Sequence, residues 1–583
     1  MSKDITPARM REQDIMTRAS RVMAFTVDAQ RNASGAMISD RGEMSVNIGA
    51  AAGRDPMFEG VNPEFCRIVG TAWASSMIEY KERHGHYPPA DQLANASRAL
   101  ENLMIESALE KHEGNGKAMF ESVAADMRTS DGVMRQAQFA ALILPAVLGA
   151  ATSDACTFVP CERDEAKIYE LLNVAGTKFG SFEQGDEMHM QSAAVYSQMK
   201  RLYPFPAAMQ PDGTKKTFTF SIKAVEGADM PIRAGRAKLL INRRPGKVDD
   251  GDGNLYFSDK DVKGNAFAAT CKVDYEKGTI AVTFTDAPAK GTELAAQVEI
   301  NVEKSPSLIP VINQSMREFT VKPSQFVIAS EHTVMAASDL SREFGINLSS
   351  TQFTAMRNWL SHEQDMMRLR TMAFHAVYGR EFDVALPEGQ TYESWVGLMK
   401  HAVTQLSTDM VNRTRKAGIR GGFAGGEAAN FLKSLPANVF QADPNFVQSP
   451  YIQRIGTLFG IYQIFEVPTA ICDQFVLDGV ALGKEDILFY GRGDSIGDAG
   501  LIAGDAVPAI PYVHETNPSL VNRTTLWGSS LNELHPRNGE NYFAKLTLTN
   551  TKVGAYSMLT GKKIEGETAP ESAATGTGTG TGS

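Results

Sequence analysis

An acidic run in the middle of the chain carries residue types that bind calcium. In "VDDGDGNLYFSDKD", the residues at positions 1, 3, 5, 9 and 12 of a candidate loop are Asp250, Asp252, Asn254, Ser258 and Asp261. A calcium loop of this type needs glycine at position 6 for its sharp turn and usually ends on a bidentate glutamate. Position 6 here is Leu255, and the loop ends on an aspartate. These departures favour a solvated β-turn over a calcium site.

The cysteines are the second candidate for metal chemistry. The chain contains Cys66, Cys156, Cys161, Cys271 and Cys472, an odd and scattered set that indicates reduced thiols rather than a disulfide framework. The closest pair stands in "CTFVPC", without the second pair or histidine cluster that a four-ligand zinc site requires. We therefore expect no metal and no cofactor.

Known catalytic motifs are incomplete in this sequence. The stretch "GRGDSIGDAG" has the glycines of a phosphate loop, but no Gly-Lys-Ser/Thr follows and its spacing departs from GxGxxG. His84, His86 and His362 belong to no HExxH motif, and no GxSxG nucleophile elbow occurs. We expect no catalytic residue and no enzyme activity. The alternative is a multidomain hydrolase whose residues meet only in space, and mutation of His362 or His375 would test it.

Length and composition limit the classes of protein that fit. A chain of 583 residues predicts three or four structural units at about 100–200 residues each. Its 43% hydrophobic and 22% charged residues are typical of globular proteins, and its net charge of −10 argues against bulk binding of nucleic acid. No run approaches the roughly 18 apolar residues that span a bilayer. We predict a cytoplasmic product without a membrane partner.

The first part of the chain, to about Asp131, has helical periodicity. In "PADQLANASRALENLMIESALEKHEG", the residues that share one apolar face are Leu93, Ala96, Leu100, Leu103 and Met104. The following "NGKAMFESVAADMRTSDG" has weak patterning and is interpreted as a hinge or an accessible joint.

The middle of the chain changes from strands to long helices. β-branched and aromatic alternation predicts a β-rich module from Lys215 to Val302, with a hairpin turn at Gly278. A helix from about Thr351 to Tyr378 follows, and the residues near one of its faces are Phe353, Met356, Leu360, Met367 and Val377. A second helix places on one stripe Trp395, Met399, Leu406 and Met410.

The apolar run "DAGLIAGDAVPAIPYV" contains two prolines. Because proline cannot donate to a sheet ladder, Pro508 and Pro511 predict an edge or bulged strand. Chains that keep an apolar edge usually cover it with another element or subunit, so we expect a contact surface here. The final "GETAPESAATGTGTGTGS" lacks the apolar side chains needed to offset ordering entropy and is predicted to be disordered.

This order of elements resembles the major capsid proteins of tailed bacteriophages, and among them the large myovirus head proteins. In that family, a strand ends in a glycine-bearing turn and is followed by an Asp-Ala-Gly segment and a Pro-Tyr-Val-like stretch. The residues of this chain that match are Asp498, Ala499, Gly500, Pro511, Tyr512 and Val513. A second match, in "IGTLFGIYQIFEVPTA", consists of Gly456, Leu458, Gly460, Phe465 and Pro468. The two matches cover roughly the last quarter of the chain.

The resemblance implies an α+β fold of the Hong Kong phage type. The segments it implies are a helical leader at 1–132, an N-terminal arm and the start of an extended loop at 133–205, a β-rich insertion or extended-loop region at 206–315, a peripheral domain with a spine helix at 316–384, an axial α/β domain at 385–490, a returning peripheral β segment at 491–556, and a disordered tail at 557–583. The candidate subunit-contact or fold residues are Gly456, Gly460, Pro468, Asp498, Gly500, Pro508, Pro511 and Tyr512.

The function implied is self-assembly into hexameric units of an icosahedral head around double-stranded DNA. The expected partners are the chain itself, scaffold, portal, vertex or decoration proteins, and a maturation protease. If that protease cuts after glutamate and removes the leader, the candidate sites are Glu110, Glu113 and Glu121. The expected location is the virion, after assembly in the bacterial cytoplasm. An encapsulin-like nanocompartment is the alternative within the same fold.

Overall fold

The computed structural model describes residues 6–550, except residues 33–34, 60, 85, 110–139, 163, 189–194, 261–265, 346–347, 387–388, 445, 481, 494–496 and 515–519. The described chain forms two compact units. One is Leu171–Arg317, and the other combines the segments Thr6–Glu170 and Glu318 onward. The predicted joint, the candidate cleavage sites Glu110, Glu113 and Glu121, and the predicted disordered tail lie outside the described residues.

The described helices and strands are numbered in chain order. The helices are α1 (Thr6–Thr26), α2 (Arg41–Ala52), α3 (Pro63–His84), α4 (Ala90–Leu109), α5 (Ile143–Gly149), α6 (Lys223–Glu226), α7 (Val334–Phe344), α8 (Leu348–His375), α9 (Tyr392–Thr414), α10 (Gly426–Ser434) and α11 (Thr469–Leu477). The strands are β1 (Cys156–Phe158), β2 (Ala166–Ala175), β3 (Lys200–Pro204), β4 (Thr217–Ser221), β5 (Lys238–Ile241), β6 (Arg244–Val248), β7 (Asn254–Lys260), β8 (Ala266–Asp274), β9 (Thr279–Phe284), β10 (Leu294–Glu299), β11 (Ile312–Val321), β12 (Ser324–Thr333), β13 (Gly379–Asp383), β14 (Ile419–Gly425), β15 (Phe440–Ala442), β16 (Gln453–Leu458), β17 (Tyr462–Val467), β18 (Asp486–Gly491), β19 (Leu501–Val513), β20 (Val521–Leu534) and β21 (Phe543–Thr549).

The unit Leu171–Arg317 is built from two four-stranded sheets. Their strand orders are β3-β10-β5-β6 and β4-β9-β8-β7, and their inward side chains form one apolar core. Strands β8 and β9 make the predicted hairpin, with Gly278 at φ 65°. The β-rich module expected between Lys215 and Val302 is therefore confirmed. Strands β2 and β11, which pair with each other, carry the chain into and out of this unit.

The N-terminal helices of the other unit share a core. Leu93, Ala96 and Leu100 of α4 are buried in it beside Trp73 of α3, and Leu103 and Met104 pack at its border. The amphipathic face predicted for this segment is confirmed.

The largest sheet has seven strands in the order β13-β21-β18-β14-β17-β16-β15. Helices α9 and α10 pack against one face of it, and Trp395, Met399, Leu406 and Met410 of α9 are all buried. Since these four side chains form the stripe that the sequence predicts, the interpretation of this helix is confirmed.

The long helix α8 contains 28 residues, and its predicted buried face is only partly correct. Met356 and Leu360 are buried, but Met367 is 47% exposed. Val377 lies beyond the helix end and is 76% exposed, while the side chain of Phe353 is not described. The buried positions in the second half of α8 include Leu369 and Met372, which lie on nearly the opposite side of the helix from Met356 and Leu360.

Strands β19 and β20 form a long antiparallel hairpin within the sheet β1-β19-β20-β12. The register shifts between Asp505 and Val507 and again between Val507 and Ile510, so that Pro508 stands in a bulge. This confirms the bulged strand predicted from the prolines. The side of β19 opposite β20 pairs with β1 only over Leu501–Ala503.

Candidate assembly surface

Helix α4 covers the side of β19 that β1 leaves unpaired. The backbone N–H of Asp505 donates to Oδ1 of Asn95 at 3.0 Å. Nδ2 of Asn102 donates to the carbonyl oxygens of Ala506 at 2.7 Å and Cys161 at 3.2 Å. Asn95 and Asn102 are seven residues apart, two turns of one helix face. Two side-chain amides thus satisfy backbone groups that would otherwise need a strand.

Asp91, one turn before Asn95 on α4, extends the same set of contacts. Its Oδ2 accepts a hydrogen bond from the backbone N–H of Phe158 at 2.8 Å. Nη2 of Arg492 lies 3.0 and 2.9 Å from the two oxygens of Asp91. The side chain of Asp91 is 4% exposed and that of Arg492 is 13% exposed, so each charge is compensated mainly by protein groups, with Asp154 as a further carboxylate acting on Arg492. The contact therefore fixes α4 against both β1 and the chain after β18.

Asp505 places a carboxyl group inside this contact. Its Oδ2 accepts a hydrogen bond from Nδ2 of Asn95 at 3.2 Å. Burial raises the pKa of Asp505, although the charge of Arg368 and the bond from Asn95 act in the opposite direction. The apolar residues that follow, Val507 and Ile510, are also buried and pack beside Leu103 of α4. The expected contact surface is thus covered within the chain, by α4.

The sequence pattern did not reveal this polar face of α4. Asn95 and Asn102 are 0% and 3% exposed, as deeply buried as the apolar residues opposite them. The available signal was their type, because asparagine is unfavourable inside a helix unless its amide has a specific partner. Their spacing of seven residues was the second signal.

Residues on both sides of segment 110–139 belong to one helical core. Nε1 of Trp73 donates to the carbonyl oxygen of Ala140 at 3.1 Å. Ile143, Leu144 and Leu148 of α5 are buried in the same core as α1, α3 and α4. A cut in segment 110–139 would leave α5 attached to the later chain and α1–α4 held only by non-covalent contacts.

Helix α8 also carries large apolar side chains that are mostly exposed within the described part of the chain. Trp359, Met367 and Phe374 are 61%, 47% and 71% exposed, at spacings close to two helical turns each. Helix α7, just before it, contains no buried residue and exposes Met335 and Phe344, each at 68%. Met335 and Phe344 are nine residues apart and so lie on opposite sides of α7. Trp359, Met367 and Phe374 lie within about a quarter turn of one another on α8, and we call these three side chains the α8 face. Exposed apolar groups clustered in this way mark protein–protein contact sites.

Asp498 lies in an ionic cluster rather than on a surface. Nζ of Lys416 is 2.5 Å from Asp498 and 3.1 Å from Glu170, and Arg537 is 2.5 Å from Glu170. Burial opposes ionisation of Lys416 and Glu170, but the bonds within the cluster outweigh it, raising the pKa of Lys416 and lowering that of Glu170. The cluster connects β2 to the loops before β19 and β21.

The other residues of the first motif lie along β19. At Gly500 a Cβ would stand 2.4 Å from the ring of Phe543, so only glycine fits. Pro508 lies in the bulge, and the backbones of Pro511 and Tyr512 pair with Leu526 and Thr525. The side chains of Pro511 and Tyr512 are not described.

The second motif lies in the other sheet. Gly456 is in β16, where a Cβ would stand 2.3 Å from the carbonyl oxygen of Gln441. Gly460 turns the chain between β16 and β17 at φ 69°, and Pro468 precedes α11. The two motifs are therefore not assembled into one site, and the glycines serve the fold. A contact role for these residues remains a prediction.

The acidic run forms the predicted solvated turn. Oδ1 of Asp250 accepts from the N–H groups of Asp252 at 2.9 Å and Asn254 at 3.0 Å. A hydrogen bond from the Asn254 side chain lowers the pKa of Asp250. Ser258 continues in β7, and Asp261 lies outside the described residues. Backbone donors therefore occupy an oxygen that a cation would need.

The cysteine thiols are buried and separate. Burial raises the pKa of Cys156 to about 11 and that of Cys161 to about 12. Among the described residues, no three His, Cys, Asp or Glu side chains are grouped as a metal site. His362 lies between the rings of Trp359 and Tyr451, with centroids at 6.0 and 5.9 Å. Within the described part of the chain, no helix is both long and apolar enough to cross a membrane.

Solved structures similar to this chain include shell proteins. The capsid of the jumbo bacteriophage PhiKZ has a TM-score of 0.34 at 8% identity and covers 68% of this chain and 91% of that one. The capsid of the Myoviridae phage XM1 has a TM-score of 0.27 at 10% identity, over 41% of this chain and 78% of that one. The holo-SrpI encapsulin of Synechococcus elongatus has a TM-score of 0.27 at 9% identity, over 42% of this chain and 81% of that one. Values this low do not assign a fold family or a function.

Sequence comparison matches the N-terminal part of the chain to a domain family. A domain of unknown function (DUF8615) matches residues 3–150, which contain helices α1–α5. Protein IncB of Escherichia coli is 43% identical over 167 residues, which are 28% of this chain and 80% of that protein. The chain therefore belongs to the same family as Protein IncB.

Proposed function

We propose that the protein is a major capsid protein, a structural subunit that assembles with itself into an icosahedral shell around packaged double-stranded DNA. The proposal includes hexameric capsomers and the seven-segment domain division that the capsid resemblance implies. It also includes assembly in the bacterial cytoplasm and a final place in the virion. The proposed partners are portal, scaffold, vertex or decoration proteins and a maturation protease. In this proposal the chain is not an enzyme.

The observation that carries the proposal is the α8 face. Trp359, Met367 and Phe374 expose large apolar groups on neighbouring positions of α8, and such a strip is incomplete as a monomer surface. Obligate subunit interfaces bury about 2,000–5,000 Å² and are rich in apolar groups. A second copy of the chain would cover this face.

The test replaces exposed apolar groups and measures self-association by sedimentation velocity. Met367→Ser combined with Phe374→Ser should reduce assembly at least about tenfold, while thermal stability changes by less than about 0.5 kcal/mol because both sites are exposed. Val46→Ser is the matched control, since Val46 is 63% exposed on α2. Equal association of all three proteins would reject the face as a subunit contact.

Removal of the helical leader is part of the proposal. A cut after Glu110, Glu113 or Glu121 would separate α1–α4 from α5 onward. Intact mass of the shell protein tests it directly, because a mass equal to the whole chain would exclude the cut.

The contents of purified shells separate the proposal from an encapsulin-like compartment. Nuclease-protected DNA supports a phage head, and an enclosed enzyme supports a nanocompartment. An activity lost on mutation of His362 or His375 would support the hydrolase alternative instead.

A further inference from the structure

We propose that the surface now covered by α4 is a second assembly site, which accepts a segment of another copy of this chain once the leader is removed. Asp91, Asn95 and Asn102, which we call the α4 clasp, hold the site closed until then. This inference rests on the proposed function, including its cut.

The clasp binds backbone groups that have no substitute within the described structure. It satisfies the N–H groups of Phe158 and Asp505 and the carbonyl oxygens of Cys161 and Ala506. If α4 departs, these four groups lose their partners together. Buried backbone groups are nearly always paired, whereas exposed ones can bond to water, so the apolar side chains beside these four groups decide what replaces the helix.

The chemistry of the surface selects a peptide as that replacement. The surface combines backbone donors and acceptors with apolar side chains, because Val507 and Ile510 follow Asp505 and Ala506 in β19 and lose Leu103 at the same time. An extended chain supplies both kinds of contact to the edge of a strand. Water would satisfy only the polar groups.

A second copy is the occupant to which the geometry points. The cut proposed after Glu110, Glu113 or Glu121 follows α4 directly, since α4 ends at Leu109. It would therefore break the covalent link between the covering helix and the chain that carries β19, so that a neighbouring copy can displace the helix during assembly. In a shell made of this one chain, the neighbouring surface is another copy.

The covered state also explains why the clasp is polar. An apolar α4 face would cover Val507 and Ile510 but leave the four backbone groups unpaired. The amides of Asn95 and Asn102 imitate the peptide groups of a strand, so one surface fits both occupants in turn.

The first experiment measures amide hydrogen exchange in the uncut full chain. Asn95→Ala combined with Asn102→Ala should speed exchange at Asp505 by at least about tenfold. Ser97→Ala is the control, because Ser97 is equally buried on α4 but its hydroxyl contacts Sδ of Met57 at 3.6 Å in the helical core. If the amide of Asp505 exchanged at the same rate in the double variant as in Ser97→Ala, the proposed role of the clasp would be overturned.

The second experiment repeats the measurement on shells assembled from the wild-type chain after the leader is removed. Protection of Asp505 and Phe158 in shells that lack α4 is the expected result, because another copy replaces it. Free exchange at both amides in such shells overturns the second site while leaving the proposed function intact. Failure of the cut chain to form shells overturns both.

Discussion

Arg492 and Asp91 stand 401 residues apart in sequence, and the guanidinium donates to both carboxylate oxygens at 2.9 and 3.0 Å. The pair joins the helical N-terminal segment to the chain between β18 and β19. Because both side chains are largely inaccessible, each charge gains most of its compensation from protein partners.

Asp91→Ala should therefore destabilise the protein by about 3–5 kcal/mol, since it removes the carboxylate bonded to the buried Arg492 guanidinium and the acceptor of the Phe158 N–H. The double variant Asp91→Leu with Arg492→Met should recover much of that loss. Differential scanning calorimetry of the full chain measures both. A double variant less stable than Asp91→Ala would contradict this account of the pair.

Substitution of Gly456 tests whether strands β15 and β16 approach each other too closely for a side chain. Gly456→Ala places a Cβ 2.3 Å from the carbonyl oxygen of Gln441 and should cost about 1–3 kcal/mol, because backbone must move. Gly149→Ala, where nothing lies within 4 Å of the new Cβ, should be neutral or slightly stabilising. Urea unfolding of both variants gives the comparison, and equal midpoints would refute the packing argument.

His535 should make stability depend on pH. Burial lowers the pKa of His535, with Lys416 acting in the same direction and Glu170 and Asp498 opposing it. Its Nδ1 accepts a hydrogen bond from the N–H of Arg537 at 3.1 Å. The unfolded chain therefore binds a proton more readily than the folded chain.

The stabilising effect is complete above the unfolded pKa of about 6.5 and is lost as pH falls through that value towards the folded pKa. His535→Gln should reduce the fall in melting temperature between pH 7.5 and pH 5.5, whereas the exposed-site variant His401→Gln should not. If the melting temperatures of wild type and His535→Gln changed identically with pH, His535 would be excluded as a source of the pH-dependent stability.

A chain cut in segment 110–139 should keep its leader bound in solution. The released helices α1–α4 retain the shared core with α5 and the clasp on β19. Size-exclusion chromatography after limited digestion with a glutamate-specific protease should show both fragments in one peak. Separation in native buffer would mean that the core and clasp are too weak to hold them.

The sequence predicted the elements with strong periodicity. The stripe on α9, the β-rich module and the bulged strand at Pro508 follow from residue spacing and from the missing proline N–H, and all are present. The local sequence pattern was sufficient to predict these elements, because each has either one apolar side or, at Pro508, one interruption of the strand hydrogen bonds.

Features that depend on distant partners could not be predicted in this way. Met367 follows the apolar pattern of α8 and is nevertheless exposed. Asn95 and Asn102 look like solvent-facing residues and are nevertheless buried, because backbone groups hundreds of residues away accept and donate to them. The pairing of Asp91 with Arg492 is equally invisible to spacing.

The most direct test of the central proposal is negative-stain electron microscopy of the purified chain, both intact and with the leader removed by cutting. Closed shells, tubes or hexameric rings are the predicted result, with more complete assembly after the cut. Monomers in both preparations, at concentrations where capsid proteins assemble, would contradict a self-assembling shell.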